Sequence, residues 1–542
     1  MTQHFDVIII GSGPNGLATA AYLSKAGQRV LLLEKRYEAG GGLATEQVTI
    51  PEFYHNTHAI YKMMVDYAPV YSDFEMEKRH GVEHIFPEVQ VAMPLADGRS
   101  LCVYQDVDKT CKSIAQFSAK DAESYRDMHH RFDEMMKHIL GPQTYVPMEG
   151  ALEMAVKAEQ TELGRELSEY AERTPEEIVC DLFEDEQVRT FMLYMACHWG
   201  LDYEQTGVSY MVPIYLNRMS NYRLTAGGSH RVSNALLKSV FEQGGQIRTC
   251  AQIARILVEG GEARGVVLED GSQILADKAV VSTIDIHKTF FDYVGEDKLE
   301  SEFVNMLRTW EWEEWSLCNV HLALAEPPHF KAAESQPDVD RAFIYLLGYE
   351  SLDDLRGHWD AMREGRIPAG AGCNGCFPSV HDSYQAPPGR ATGLLSQMAP
   401  FELADGGSER WLNYSMREEV VQRQVALLQR FAPNLAGDKV LWTYLTTPAD
   451  IENKFANMVK GSYKQGAYQP LQMGYLRPNQ DCSHYRTPIG KLYLGGASVA
   501  PGGMVIFGPG YNCANAIADD YGIEKWWKEP EYVTAAREKN YI

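Results

Sequence analysis

The chain has 542 residues, 45% hydrophobic and 23% charged, a globular composition too long for one compact core, so two or three intertwined domains are expected. A formal net charge of −24 argues against nucleic acid as a partner and against electrostatic docking on anionic lipid, while peripheral apolar contact with a membrane stays open. Ten scattered cysteines, and a start (MTQHFDVIIIGSG) with no basic stretch before a long apolar core, set the expectation of reduced thiols in a cytoplasmic protein.

The apolar run Phe5–Ile10 reads as a buried parallel strand. It leads into Gly11-Ser12-Gly13-Pro14-Asn15-Gly16, a helix closed by Gly27, and a second strand Gln28–Leu33 ending at Glu34 and Lys35. In that order Gly11 permits a tight turn, Gly13 lets a pyrophosphate approach the backbone, and Gly16 lets helix and strand pack closely. The helix start offers free N–H groups to a diphosphate, and the Glu34 carboxylate stands where it can bind both ribose hydroxyls of an adenosine. A turn that binds nothing is the competing reading, and the completeness of the strand–turn–helix–strand–acid unit speaks against it. The unit predicts a Rossmann-type dinucleotide domain.

Three more glycines, Gly40, Gly41 and Gly42, follow in EKRYEAGGGLATEQVTIPEF. Here the chain resembles the phytoene desaturase-like FAD oxidoreductases, a branch of the flavoprotein amine oxidase superfamily. The resemblance implies that Gly40 and Gly41, with Gly42, Leu43, Ala44 and Thr45 after them, contact the diphosphate and ribityl chain of FAD. Relatives often carry Arg at the position of Gly42. The resemblance also brings the next stretch, EFYHNTHAIYKMM, near the flavin. That makes His55, His58 and Tyr61 candidates for a base or for substrate hydrogen bonds, against the competing reading of satisfied interior side chains. Relatives often have Asp at Asn56 and Gly at His58.

Helical periodicity over Ala119–Leu140 and Leu152–Arg173, then Thr174 as N-cap with Pro175 after it, suggests a helical cap. His130, Glu134 and His138 share a helix face, but eight residues separate the histidines by about 12 Å, too far for one ion. No metal is expected. Cys197–Gly200 (CHWG) is a further, weaker candidate for the site.

The stretch from Tyr222 to Thr283 reads as turn, amphipathic helix, strand, glycine-rich hairpin and the apolar strand Ala279–Ser282. The resemblance places Ile253 at the adenine edge, through its backbone, and Ser282 among the cofactor contacts. Trp310, Trp312 and Trp315 are equally an aromatic wall for substrate or packing at a domain junction. Cys373 and Cys376 lack a second ligand pair or a helix start and read as incidental.

Near the C-terminus, the strand Lys491–Leu494 precedes Gly495-Gly496-Ala497-Ser498, a Pro501-Gly502-Gly503 loop and a helix holding Asn512 to Asp520. The resemblance implies that Gly496 and Ala497 approach the diphosphate and that Met504, Val505 and Ile506 face the flavin. Relatives commonly carry His at Ala500 and a small residue at Phe507, departures that bear on the substrate and not on the cofactor.

The expected fold is α/β: a split Rossmann-type, glutathione reductase-like FAD-binding domain built from residues 1–75, 222–298 and 475–524. An inserted α+β substrate domain with a helical cap takes 76–221 and 299–474, and 525–542 form a tail. The expected function is FAD-dependent dehydrogenation of a small, largely apolar aromatic or terpenoid compound by hydride transfer to flavin N5, with dioxygen or a quinone as acceptor. The alternatives are a redox-neutral or reductive flavoenzyme (isomerase, hydratase or saturase), an amine oxidase, and a flavin-binding protein without catalysis. There is no second nucleotide fingerprint, so a bound NAD(P)H is not expected.

Overall fold

The computed structural model describes residues 3–542. Its first sheet is organised by the strand Gln3–Ile10, whose residues Val7 to Ile10 are shut off from solvent on both faces, which is why the run is uninterruptedly apolar. This strand lies between Val30–Leu33 and Gln273–Ser282, parallel to both. Gln246–Arg248 and Leu492–Leu494 extend the parallel sheet on either side. The hairpin Ile253–Glu259 and Glu262–Leu268 pairs along the early part of Gln273–Ser282. Arg248, Leu33, Ile10, Ser282 and Leu494 share one row across the sheet and are the last residues of their strands. Chain segments hundreds of residues apart therefore end at one carboxyl edge, where open parallel sheets hold ligands.

The helix Pro14–Lys25 covers this sheet between the helices His230–Glu242 and Gly508–Tyr521. The Thr19 hydroxyl lies 3.0 Å from the carbonyls of both Asn15 and Gly510, tying the first helix to the late one. The second sheet has the strand order 440–446, 315–324, 391–400, 373–376, 342–347, 89–94, 100–104. It is antiparallel except where Ala342–Leu347 runs beside Val89–Pro94. Helices between residues 107 and 218 form the cap, with Glu186–Cys197 buried along most of its length.

Several expectations meet a different local structure. The stretch Leu152–Arg173 is two helices, Ala151–Gln160 and Glu162–Ala171, because Thr161 adopts an extended backbone and its hydroxyl accepts the Gly164 N–H. Ala119–Met135 continues only through a π turn, Met136–Leu140. The final segment is docked: Trp526 stacks on Tyr22 at 5.6 Å and the Tyr532 hydroxyl donates to Tyr67 O at 2.6 Å. Cys373 and Cys376 are buried in a strand, their thiols pushed up to about 12 by burial. His138 contacts Glu134 at 3.1 Å and stacks on Tyr541, and no cluster suited to a metal occurs among the described residues. No described helix is long and apolar enough to cross a membrane.

Trp310 packs under Arg477, whose guanidinium carbon lies 5.1 Å from the ring centre. Arg477 is fully buried and donates to the carbonyls of Ala497 (2.9 Å), Lys464 (2.9 Å) and Gln472 (3.2 Å). It thus fixes the 464–472 segment against the turn after the last strand. Replacing Arg477 by Met strands these carbonyls, and the expected loss is about 3–5 kcal/mol of unfolding free energy. A urea titration that shows less than about 1 kcal/mol would remove Arg477 from this role.

Candidate active site

One cavity of about 750 Å³ follows the carboxyl edge of the first sheet and reaches under the second sheet and the cap. At one end stand Glu34, Lys35, Arg36 and Ile253. Gly11, Gly13, Pro14, Asn15, Gly16, Gly41 and Gly42 line its middle, followed by Ala497, Gly503, Met504 and Val505. The other end is walled by Tyr61, His198, Trp199, Leu317, Asn319, Asn374, Leu394 and Ser396.

The glycines of the first turn differ in what they allow. A methyl group on Gly16 would lie 2.1 Å from Gly11 O, and one on Gly11, at φ +93°, would lie 2.7 Å from the Thr283 hydroxyl. A methyl on Gly13 would meet nothing within 4 Å, so the space beside it belongs to the cavity. Gly13 caps the helix without a side chain and Pro14 has no N–H, leaving the N–H groups of the first turn unpartnered within the helix. The Glu34 carboxylate accepts from Ser12 N–H (3.0 Å), Ser12 Oγ–H (2.6 Å) and Arg36 N–H (2.9 Å), which sets its orientation at the strand end.

The later loop is held under strain. Met504 (φ +74°), Val505 (φ +57°) and Phe507 (φ +61°) all take the left-handed region, at a cost of order 1–2 kcal/mol each for such residues. The Phe507 ring is buried against Tyr71, Tyr145 O–H donates to Ile506 O (3.0 Å), and Gly503 N–H donates to the Tyr468 hydroxyl (3.0 Å). These contacts hold Met504 and Val505 on the cavity wall.

Some expected residues stand behind the wall. Leu43 and Ala44 are buried under the glycine turn, and a methyl on Gly496 would lie 2.5 Å from Thr283 O. Ser282 pairs its hydroxyl with Thr289 at 2.6 Å, and the next residue, Thr283, lines the cavity instead. Ile506 does not line the cavity either. His55, a candidate base, also lies outside it: Nε2 meets the Thr49 hydroxyl at 2.7 Å, and burial pushes the imidazole down to about 4. Neither Ala500 nor Phe507 lines the cavity, so these departures from relatives shape the packing behind it. Trp310, Trp312 and Trp315 are off the wall too, and Trp199 supplies the indole there.

His58 and Tyr61 do line the cavity. His58 packs edge-on to Phe455 at 4.7 Å, and burial, helped by the Lys454 and Arg36 cations, holds its pKa well below the ordinary value. His198, beyond the main sequence candidates, stacks on Tyr194 at 5.3 Å and is pushed down to about 3 by burial. Its Nδ1 lies 3.2 Å from Met195 O, an acceptor, so the neutral ring carries its proton there and keeps the Nε2 lone pair. Asn15 Oδ1 and His58 Nε2 are buried without a hydrogen-bond partner. A ribbon of close-approach glycines beside unsatisfied polar atoms fits a bound dinucleotide such as FAD.

The neutral histidines have a consequence for acid stability. An unfolded histidine takes up its proton near 6.5, whereas His55 does so near 4 and His198 near 3. Between these values the unfolded chain binds more protons, so stability falls as pH drops from 6.5 to 4. Urea titrations of His198→Gln should show that slope reduced by about 1.4 kcal/mol per pH unit; an unchanged slope would place a charged His198 in the native protein.

The profile of flavin containing amine oxidoreductases matches residues 15–506. The chain is 38% identical to a limonene dehydrogenase polypeptide of Castellaniella defragrans, over 99% of this chain and 98% of that protein. It is 24% identical to the zeta-carotene-forming phytoene desaturase of Myxococcus xanthus, over 92% of this chain and 91% of that one. Among solved structures, a triple mutant of putrescine oxidase superposes with a TM-score of 0.61 at 14% identity, covering 97% of this chain and 100% of the other. Cyclohexylamine oxidase from Brevibacterium oxydans gives 0.57 at 18%, covering 96% and 99%. At such identities the two oxidases speak to the shared fold alone. The cradle, the strand ends above it and these matches agree: the chain belongs to the flavin-containing amine oxidoreductase family and is an FAD-dependent oxidoreductase.

Proposed function

We propose that the chain dehydrogenates a small, largely apolar compound of the terpenoid class, with the reducing equivalents passing on to dioxygen or a quinone. The observation that carries this reading is the continuity of the cavity, lined at one end by the glycine cradle and at the other by Tyr61, Trp199, Leu317 and Leu394. The names of two similar proteins, a limonene dehydrogenase and a phytoene desaturase, support the apolar class.

In this reading Gly11, Gly13, Pro14, Asn15 and Gly16 receive the diphosphate at the helix start, and Glu34, Lys35 and Ile253 receive the adenosine. Gly41 and Gly42 take the ribityl side, and Ala497, Met504 and Val505 stand against the ring system. Leu43, Ala44, Ser282, Gly496 and Ile506 support that wall from behind. FAD bound there supplies a hydride acceptor for a substrate carbon. Tyr61, Trp199 and Leu394 exclude water and hold the ring skeleton, while His58 and His198, kept neutral by burial, can accept a hydrogen bond on the same wall. Residues 1–75, 222–298 and 475–524 form the cofactor unit, and 76–221 with 299–474 the substrate unit.

Two measurements check this. Gly13→Val fills open space at an ordinary φ of −66°. The apoprotein should therefore keep its melting temperature while FAD affinity drops tenfold or more, about 1.4 kcal/mol; undiminished affinity would move the diphosphate elsewhere. Under nitrogen, a cyclic monoterpene should bleach the oxidised-flavin absorbance of the loaded protein, and air should restore it if dioxygen is the acceptor. Turnover without bleaching would replace dehydrogenation by redox-neutral chemistry.

A further inference from the structure

The substrate end of the cavity carries more polar atoms than a hydrocarbon can satisfy. Asn319 pairs with Ser396, and Ser396 with Asn374, so the three side chains form one row across three neighbouring strands. All three line the cavity, together with Leu317 and Leu394, each two positions along its strand and hence on the same face. Asn319 Oδ1 and Asn374 Oδ1 are buried without a partner. Asn374 Nδ2 donates to the Tyr194 hydroxyl at 2.9 Å, which leaves Oδ1 as the free acceptor. On the same cavity wall the Tyr61 hydroxyl is buried beside the Cys376 thiol, its ring held edge-on by Phe343 (5.2 Å) and Trp199 (6.0 Å). The Tyr61 hydroxyl, donating toward Cys376, keeps its oxygen as an acceptor, and the two amide oxygens only accept.

A bare hydrocarbon would leave these acceptors dry and unpaired, and a ketone could not satisfy an amide oxygen. A hydroxyl both donates and accepts. We infer that the Asn319–Ser396–Asn374 row, with Tyr61, is a subsite for one hydroxyl group, so that the substrate is an alcohol on an apolar ring skeleton. This rests on the reading that this end of the cavity takes an apolar compound.

The test is calorimetric titration of the FAD-loaded protein with menthol and with p-menthane, the same saturated ring with and without a hydroxyl. Menthol should bind at least about tenfold more tightly, the effect of one hydrogen bond to a buried acceptor. The nearly isosteric variant Asn374→Leu should lose that preference while retaining FAD at the wild-type stoichiometry. Equal or tighter binding of p-menthane to the wild-type protein overturns the subsite and leaves the apolar reading standing; binding of neither compound overturns both. Loss of FAD from Asn374→Leu with the menthol preference intact assigns the row to the cofactor and overturns the subsite.

Discussion

How near the first helix can come to the end of the first strand decides the rest of the molecule. A single methyl on Gly16 would collide with the Gly11 carbonyl, and one on Gly510 would lie 2.4 Å from Asn15 O. Both helices therefore begin almost in contact, and their amino-terminal ends converge on one region. Such ends carry partial positive charge and unpaired N–H groups. The five parallel strands ending on a common row provide the flat edge against which that charge is presented.

The opposite end is built by different physics. The antiparallel sheet and the cap enclose a chamber in which imidazoles stay neutral and polar atoms go without partners, both signs of a weakly solvated interior. The strained loop at Met504 to Phe507 lies between the two regimes. Its unfavourable backbone persists because Phe507, Tyr145 and Tyr468 hold it from three sides.

The nucleotide end is legible in the sequence because its demands fall on the backbone and are written as glycine spacing within a few residues. Gly11, Gly13, Gly16, Gly41, Gly42 and Glu34 all line the cavity for that reason. Departures there are small offsets: Ser282 and Thr283 sit side by side at a strand end, where successive side chains face opposite ways, and Thr283 lines the cavity. The substrate end is not legible. Asn319, Ser396 and Asn374 come from three strands, and only pairing register brings them into a row. His198 is placed by a helix end stacked on Tyr194, a contact invisible in CHWG. Conversely, the tryptophan triplet and the Cys-x-x-Cys stand out as patterns in the sequence, yet both are packing features.

The bond between Thr19 and Gly510 joins residues 491 positions apart. During synthesis on the ribosome the first helix emerges long before the partner that closes its side of the cavity. A growing chain thus exposes the apolar first strand and the glycine turn long before either can be covered.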